Sequence, residues 1–297
     1  MTQPPPLPST PSSAPPAPPA PQRPPRPSPP SLSRPVPLGR RSALLLALVS
    51  AIGAAAFGWP LLAARSSDLV GHSADAPWLF ALLMPLLLAV AVAQLSENRD
   101  ATGAPGLDAK AVAMLGVLAA AGAALRPLGG GTAGLEPMFF LMVLAGRALG
   151  PGFGFVLGAL AMFASGLLTG GVGPWLPFQM LTMGWVCLGA GLLPGATRLR
   201  GRPELLLLAA YGVLASVGYG TVMNLQGWPY IGGLGLSISF VPGDPLPANL
   251  TRFALYCLTT SLGWDLSRAA LTAVLCLTVG GPLLRTLRRA TRRAAFR

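Results

Sequence analysis

Long apolar runs separated by short polar stretches dominate the chain. Runs at 42–64, 77–95, 110–128, 134–150, 151–169, 176–195, 204–223 and 265–284 approach the length that crosses about 30 Å of hydrocarbon at 1.5 Å per residue. The pattern predicts an all-α, polytopic membrane helical bundle of eight spans. A polar stretch at 97–108, with Glu97, Arg99, Asp100 and Asp108, divides two N-terminal transmembrane helices (40–96) from a six-helix core (109–289). Residues 224–264 form a long connection rich in Gly, Pro and aromatics, whose second half, 250–264, reads as an interfacial helix. Loops of that length often carry function.

Composition agrees. Mean hydropathy is +0.59, with 52% hydrophobic and only 10% charged residues, a balance that makes the bilayer the solvent. Residues 1–39 hold 17 of the 33 prolines. They cannot form helix or sheet and read as a disordered, partly polyproline II tail. A cleaved secretory signal is the rival reading of 1–64, but the tail before the apolar run is too long for it. PxxP spacings are unavoidable in so proline-dense a tract and give no specific docking motif.

The 21 basic residues are all arginine except Lys110. With the N-terminus in the cytoplasm, 17 fall inside, leaving Arg65, Arg126, Arg252 and Arg268 outside. This bias predicts a multi-pass plasma-membrane protein with both termini cytoplasmic. The basic C-terminal run, whose last part is the tail 290–297, would then face anionic headgroups rather than nucleic acid.

The chemistry that is missing narrows the function. His72 is the sole histidine and falls in a predicted outer loop, so neither a His-activated nucleophile nor an HExxH metal motif can be assembled. Ser165-Gly166 therefore reads as a packing site. Lys110 is not preceded by a phosphate-cradling glycine loop, so ATP hydrolysis would fall to another subunit. No run carries the paired acids of proton-coupled carriers, and Asp265 and Arg268 are spaced to pair with each other. Cys187, Cys257 and Cys276 lack metal or redox spacing and read as small hydrophobes. No enzyme activity, cofactor or metal is expected.

Two stretches carry a family likeness. GRALGPGFGFVLGALAMFASGLLTGGVGPWLPFQML (146–181) and TSLGWDLSRAALTAVLCLTVGGPLLR (260–285) resemble S components, the substrate-binding subunits of energy-coupling factor (ECF) transporters of actinobacterial type. The likeness spans about 109–289. It implies partners, namely an ECF transmembrane coupling subunit and two ABC-type ATPase subunits, and a vitamin-like small-molecule substrate captured outside the cell. It implies further that loops 127–136, 170–175 and 224–264 surround that substrate.

Candidate substrate-binding residues there are Trp175, Gln179, Asn224, Tyr230, Asn249, Tyr256 and Asp265, a mixture of apolar walls and polar groups. Each has a packing alternative: Trp175 and Tyr230 as interfacial aromatics, Asn224 at a helix end, Gln179 in an interhelical hydrogen bond. Arg126 and Glu136, either side of the GGGTAG tract, are placed to form a salt bridge across the first loop or to stand as solvated charges. The coupling-subunit interface implied on the first core helix comprises Ala109, Ala113, Gly116, Ala119, Ala120 and Ala123, whose small side chains permit close helix approach; ordinary packing within the bundle is the alternative. A partner-independent secondary transporter or permease is the competing function.

Overall fold

The structure, a computed structural model, describes residues 40–62, 109–129, 133–173, 175–195, 199–231, 235 and 237–294. The proline-rich tail, the run at 77–95, the linker 97–108 and the last three residues lie outside them. Among the described residues all regular structure is helical: α1 (Arg40–Leu62), α2 (Ala109–Leu128), α3 (Met138–Leu149), α4 (Pro151–Thr169), α5 (Leu176–Leu192), α6 (Arg202–Gly227), α7 (Leu246–Tyr256), α8 (Leu262–Thr278) and α9 (Gly280–Ala294).

Helix α3 is the axis of the bundle. All 12 of its residues are buried, and α2, α4, α5, α6, α8 and α9 all pack on it. At about 18 Å it is shorter than the run at 134–150 suggested. Ala133 and Gly134 adopt left-handed φ of 49° and 78°, so the helix cannot begin at 134 as the run suggested. A sharp turn at Gly150 (φ 97°, ψ 170°) ends it, and Pro151 opens α4 with its φ already set for helix.

Glycines set the spacing of α3, α4 and α5. A Cβ on Gly146 or Gly158 would run into the backbone carbonyls of Cys187 and Met183. The helices therefore meet backbone to backbone, the way helices associate where lipid removes any hydrophobic drive. Gly146→Val should lower stability by at least about 1–3 kcal/mol through overpacking. Thermal unfolding in detergent measures it, and an unchanged midpoint would refute the close approach.

Three helices are long and apolar enough to cross a membrane, at Ala111–Leu128, Pro151–Thr169 and Arg202–Gly227. A fourth span results if the bent pair Leu246–Thr278 and Gly280–Thr291 counts as one, while Ser42–Gly58, Met138–Leu149 and Leu176–Leu192 are shorter apolar helices. Outward leucines such as Leu44 and Leu214, 71% and 72% exposed, give the bundle an apolar exterior. Helix α1 packs on α5 through Phe57 against Phe178 (ring centroids 4.8 Å) and a 2.9 Å hydrogen bond from Trp185 Nε1 to Ser50 Oγ. It thus shares the core of the segment that follows.

The expected last span, 265–284, needs correction. The chain is helical from Leu246, passes a π-helical turn at Cys257–Ser261, and bends by 73° after Thr278. The expected interfacial helix is therefore continuous with α8. Helix α9 is amphipathic: Leu284, Leu287 and Thr291 are buried while Arg285 and Arg289 are exposed. Six arginines in 285–297 allow only one face to be apolar, so the helix lies across the end of the bundle instead of extending α8.

Candidate functional site

Two charged clusters stand at opposite ends of α3. At its C-terminal end Arg147 is fully buried and all three of its nitrogens are engaged. Nε donates to Glu204 Oε1 at 3.0 Å, Nη1 to the Leu193 carbonyl at 2.6 Å and Nη2 to the Pro194 carbonyl at 3.1 Å. Arg288 of α9 donates to both carboxylate oxygens of Glu204, one at 2.9 Å, and Arg200 lies 3.8 Å away. One carboxylate therefore ties α3, α6, α9 and the α5–α6 turn together. Every strong donor of Arg147 faces protein, so this cluster is structural.

At the other end, Arg268 of α8 is the hub. Its Nε donates to Glu136 Oε2 at 2.7 Å, and its Nη1 donates to Asp265 Oδ1 at 2.8 Å and to the Ser216 carbonyl at 3.2 Å. The guanidinium carbon lies 4.9 Å from the Phe139 ring centroid and 5.3 Å from that of Tyr219, within cation–π range. Asp265 fits against α6 because Gly220 has no side chain; a Cβ there would occupy the space of its carboxylate. Arg126, at the end of α2, has Nε 3.8 Å from Glu136 Oε1, an ion pair too long for a hydrogen bond.

A cavity of about 380 Å³ opens beside this second cluster, lined by Arg126, Pro127, Gly134, Leu135, Glu136, Thr169, Trp264 and Arg268. Its volume suits a small organic molecule. Gly134 closes one side: a Cβ there would strike the backbone of Trp264, so the turn between α2 and α3 can lie directly on the start of α8. Trp264 is half exposed, and the Thr169 hydroxyl donates to the Ser165 carbonyl at 2.8 Å. Guanidinium, carboxylate, hydroxyl and indole groups equip this cavity to bind and orient.

None of the seven residues proposed from sequence lines the cavity. Asp265 is the nearest in role, since it holds Arg268 in place. Trp175 is exposed, its Nε1 donating to the Gly171 carbonyl at 3.2 Å, and Gln179 is half-buried on α5. Asn224 Nδ2 reaches Ser261 Oγ at 2.7 Å and so pins the π-helical turn to α6. Asn249 is buried and exchanges hydrogen bonds with both the N–H and the C=O of Val241, at 3.1 and 2.8 Å. Tyr256 packs with Trp228 and Phe253 in a separate small core. The side chain of Tyr230 lies outside what is described.

Among its described residues the connection 228–256 is thus folded on itself. Trp228 is wholly buried, donates to the Ile238 carbonyl at 2.6 Å and stacks edge-on against Phe240, while Arg252 pairs with Asp244 at 2.8 Å.

On α2 the six small residues divide. Ala119 and Ala123 are buried, 6% and 3% exposed, on the side where Gly122 faces Met142 and Ala161. Ala113, Gly116 and Ala120 face outward, and a Cβ on Gly116 would meet nothing. The side chain of Ala109 is not described.

The cavity residues outside the sequence-proposed set carried one signal, charge inside or beside an apolar run, which marks function in a membrane protein. That signal picks out Arg126, Glu136 and Arg268, and equally Arg147 and Glu204 of the structural cluster. Compared with models of known protein families, with curated proteins and with solved structures, the chain finds no match.

Proposed function

We propose that this chain is the substrate-binding subunit of an ECF-type importer, in which the cavity at the Arg126 end captures a vitamin-like nutrient outside the cell. A transmembrane coupling subunit, driven by two ABC-type ATPase subunits, would then release the substrate inside. The carrying observation is the double use of α2. Its C-terminal Arg126 lines the cavity, while Ala113, Gly116 and Ala120 lie exposed along the same helix, with the exposed Val117 among them. Ligand occupancy and partner docking would then share one element.

Two further observations support the reading. The resemblance at 146–181 falls on the α3–α4–α5 interface, where Gly146 and Gly158 permit backbone contact. The arginine bias supports the orientation as well: Arg147, Arg200, Arg285, Arg288 and Arg289 gather at one end and Arg126 and Arg268 at the other, and the positive-inside rule favours the end richer in arginine for the cytoplasm.

Reconstitution in liposomes tests the reading directly. Uptake of a nutrient should need the coupling and ATPase subunits together with ATP; uptake by the isolated chain down an ion gradient would establish a secondary transporter instead. Ala113→Leu and Ala120→Leu should weaken co-purification with the coupling subunit about tenfold or more, with folding unchanged, because each places a bulky chain on an open face. Ala119→Leu should instead cost about 1–3 kcal/mol of stability, since its side chain points into packed neighbours. Normal assembly of both outward variants would move the docking face elsewhere.

A further inference from the structure

The geometry points to an organic anion as the ligand of this cavity: a compact molecule with a flat apolar body and one carboxylate or phosphate group, held by the terminal nitrogens of Arg126. This rests on the importer reading for its purpose but not for its chemistry.

Two guanidiniums line the cavity, and they differ in what they have left to give. Arg268 is committed through Nε to Glu136 and through Nη1 to Asp265 and the Ser216 carbonyl, and it is only 8% exposed. Arg126 approaches Glu136 through Nε, at 3.8 Å, and among the described residues it donates no hydrogen bond. The parallel donors of a guanidinium match a carboxylate or phosphate in fork geometry. An anion can therefore dock on the Nη1 and Nη2 edge of Arg126 while the Nε edge keeps facing Glu136.

The remaining charges leave Arg126 as the open group. Glu136 and Asp265 both pair with Arg268, at 2.7 and 2.8 Å, and with Arg126 the four charges balance, so an anion meets a guanidinium whose nearest carboxylate is already held by another. A cationic ligand would have to compete with Arg268 for Glu136 and would meet Arg126 as well. The Thr169 hydroxyl, its proton given to Ser165, can still accept a hydrogen bond. Trp264, Leu135 and Pro127 supply an apolar wall, with the half-exposed indole available to a flat ring.

A matched acid and amide separate charge from shape. With purified full-length chain in neutral detergent, 2-naphthoate and 2-naphthamide are titrated by isothermal calorimetry, with thermal unfolding as a second readout. A ligand of this size at ordinary efficiency should bind with a Kd of about 1 mM. The acid should bind at least about tenfold more tightly than the amide. Arg126→Gln should abolish that preference, and Arg126→Lys, which keeps the charge and loses the fork, should retain part of it. Arg126 is partly exposed and only loosely paired, so both variants should fold, and an unchanged unfolding midpoint verifies that.

A lipid headgroup phosphate offers the same chemistry and is distinguished by adding phosphatidylglycerol. Blocking of naphthoate by the lipid at stoichiometric ratio would assign the site to headgroups and overturn the proposal. Equal affinity for acid and amide, absence of acid binding up to about 10 mM, or an acid preference surviving in Arg126→Gln would each overturn it too. The isolated chain is used throughout, so failure here with partner-dependent uptake intact leaves the importer reading standing. Partner-independent uptake with the acid preference intact does the reverse.

Discussion

Glu204→Ala should leave little folded protein in the membrane. The carboxylate is 1% exposed and holds Arg147 and Arg288 in direct hydrogen bonds, with Arg200 nearby. Without it, Arg147 keeps its two carbonyl partners but remains a buried, uncompensated cation. Removing one partner of a buried ion pair costs about 3–5 kcal/mol, a large part of a whole domain's stability. Because the same carboxylate anchors α9, proteolysis within α9 should accelerate in whatever folded fraction survives. Glu204→Gln keeps the shape and some hydrogen bonds and should fall between Ala and wild type. Arg288→Ala should be milder than either, since Glu204 would still face Arg147. Size-exclusion chromatography with thermal unfolding measures the series, and wild-type stability in Glu204→Ala would rule out the cluster as a structural clamp.

This cluster shows what the sequence made legible and what it hid. Helices α4, α5 and α6 follow from apolar runs opened by proline, because both signals are local. Ser165-Gly166 in α4 also read as a packing site. The start of α3 and the bend after Thr278 were not legible to the same degree. Left-handed backbone at Ala133 and the turning of α9 across the bundle answer to tertiary contacts and to the demand that Arg288 reach Glu204. Charge counts placed Arg147, Arg200 and Arg288 on one side of the bundle; that a single carboxylate ties them together depends on helices far apart in sequence.

The candidate site divides in the same way. Asp265 and Arg268, three apart on one helix, were recognisable as a pair from spacing alone. Glu136 joining them across 132 residues was not. Aromatic and amide residues such as Tyr256 and Asn249 look like ligand groups in a list of loop residues, yet in the fold they satisfy the loop itself: Asn249 caps Val241, and Tyr256 packs on Trp228. The connection 228–245 between α6 and α7 needs such internal partners, and they consume the polar groups that a ligand would have used.

The largest effect on binding is expected at Arg268. Its guanidinium keeps Glu136 and Asp265 apart as a compensated set, and its neighbours Phe139 and Tyr219 hold it in place. In Arg268→Gln both carboxylates lose their close cation, and among the described residues Arg126 remains as the one within reach of Glu136. Arg126 should then close on Glu136 and withdraw from the cavity, so acid binding should fall about tenfold or more although Arg126 itself is intact. Stability should fall as well, because Asp265 is buried and left uncompensated. Asp265→Asn added to Arg268→Gln removes that stranded charge and should recover part of the stability, while binding stays low because Glu136 still captures Arg126. This split, stability restored and affinity not, is what a double-mutant cycle on the two readouts can detect. If Arg268→Gln binds the acid as well as wild type, the ion-pair network does not position Arg126. If the second substitution restores affinity together with stability, Arg268 matters only for folding.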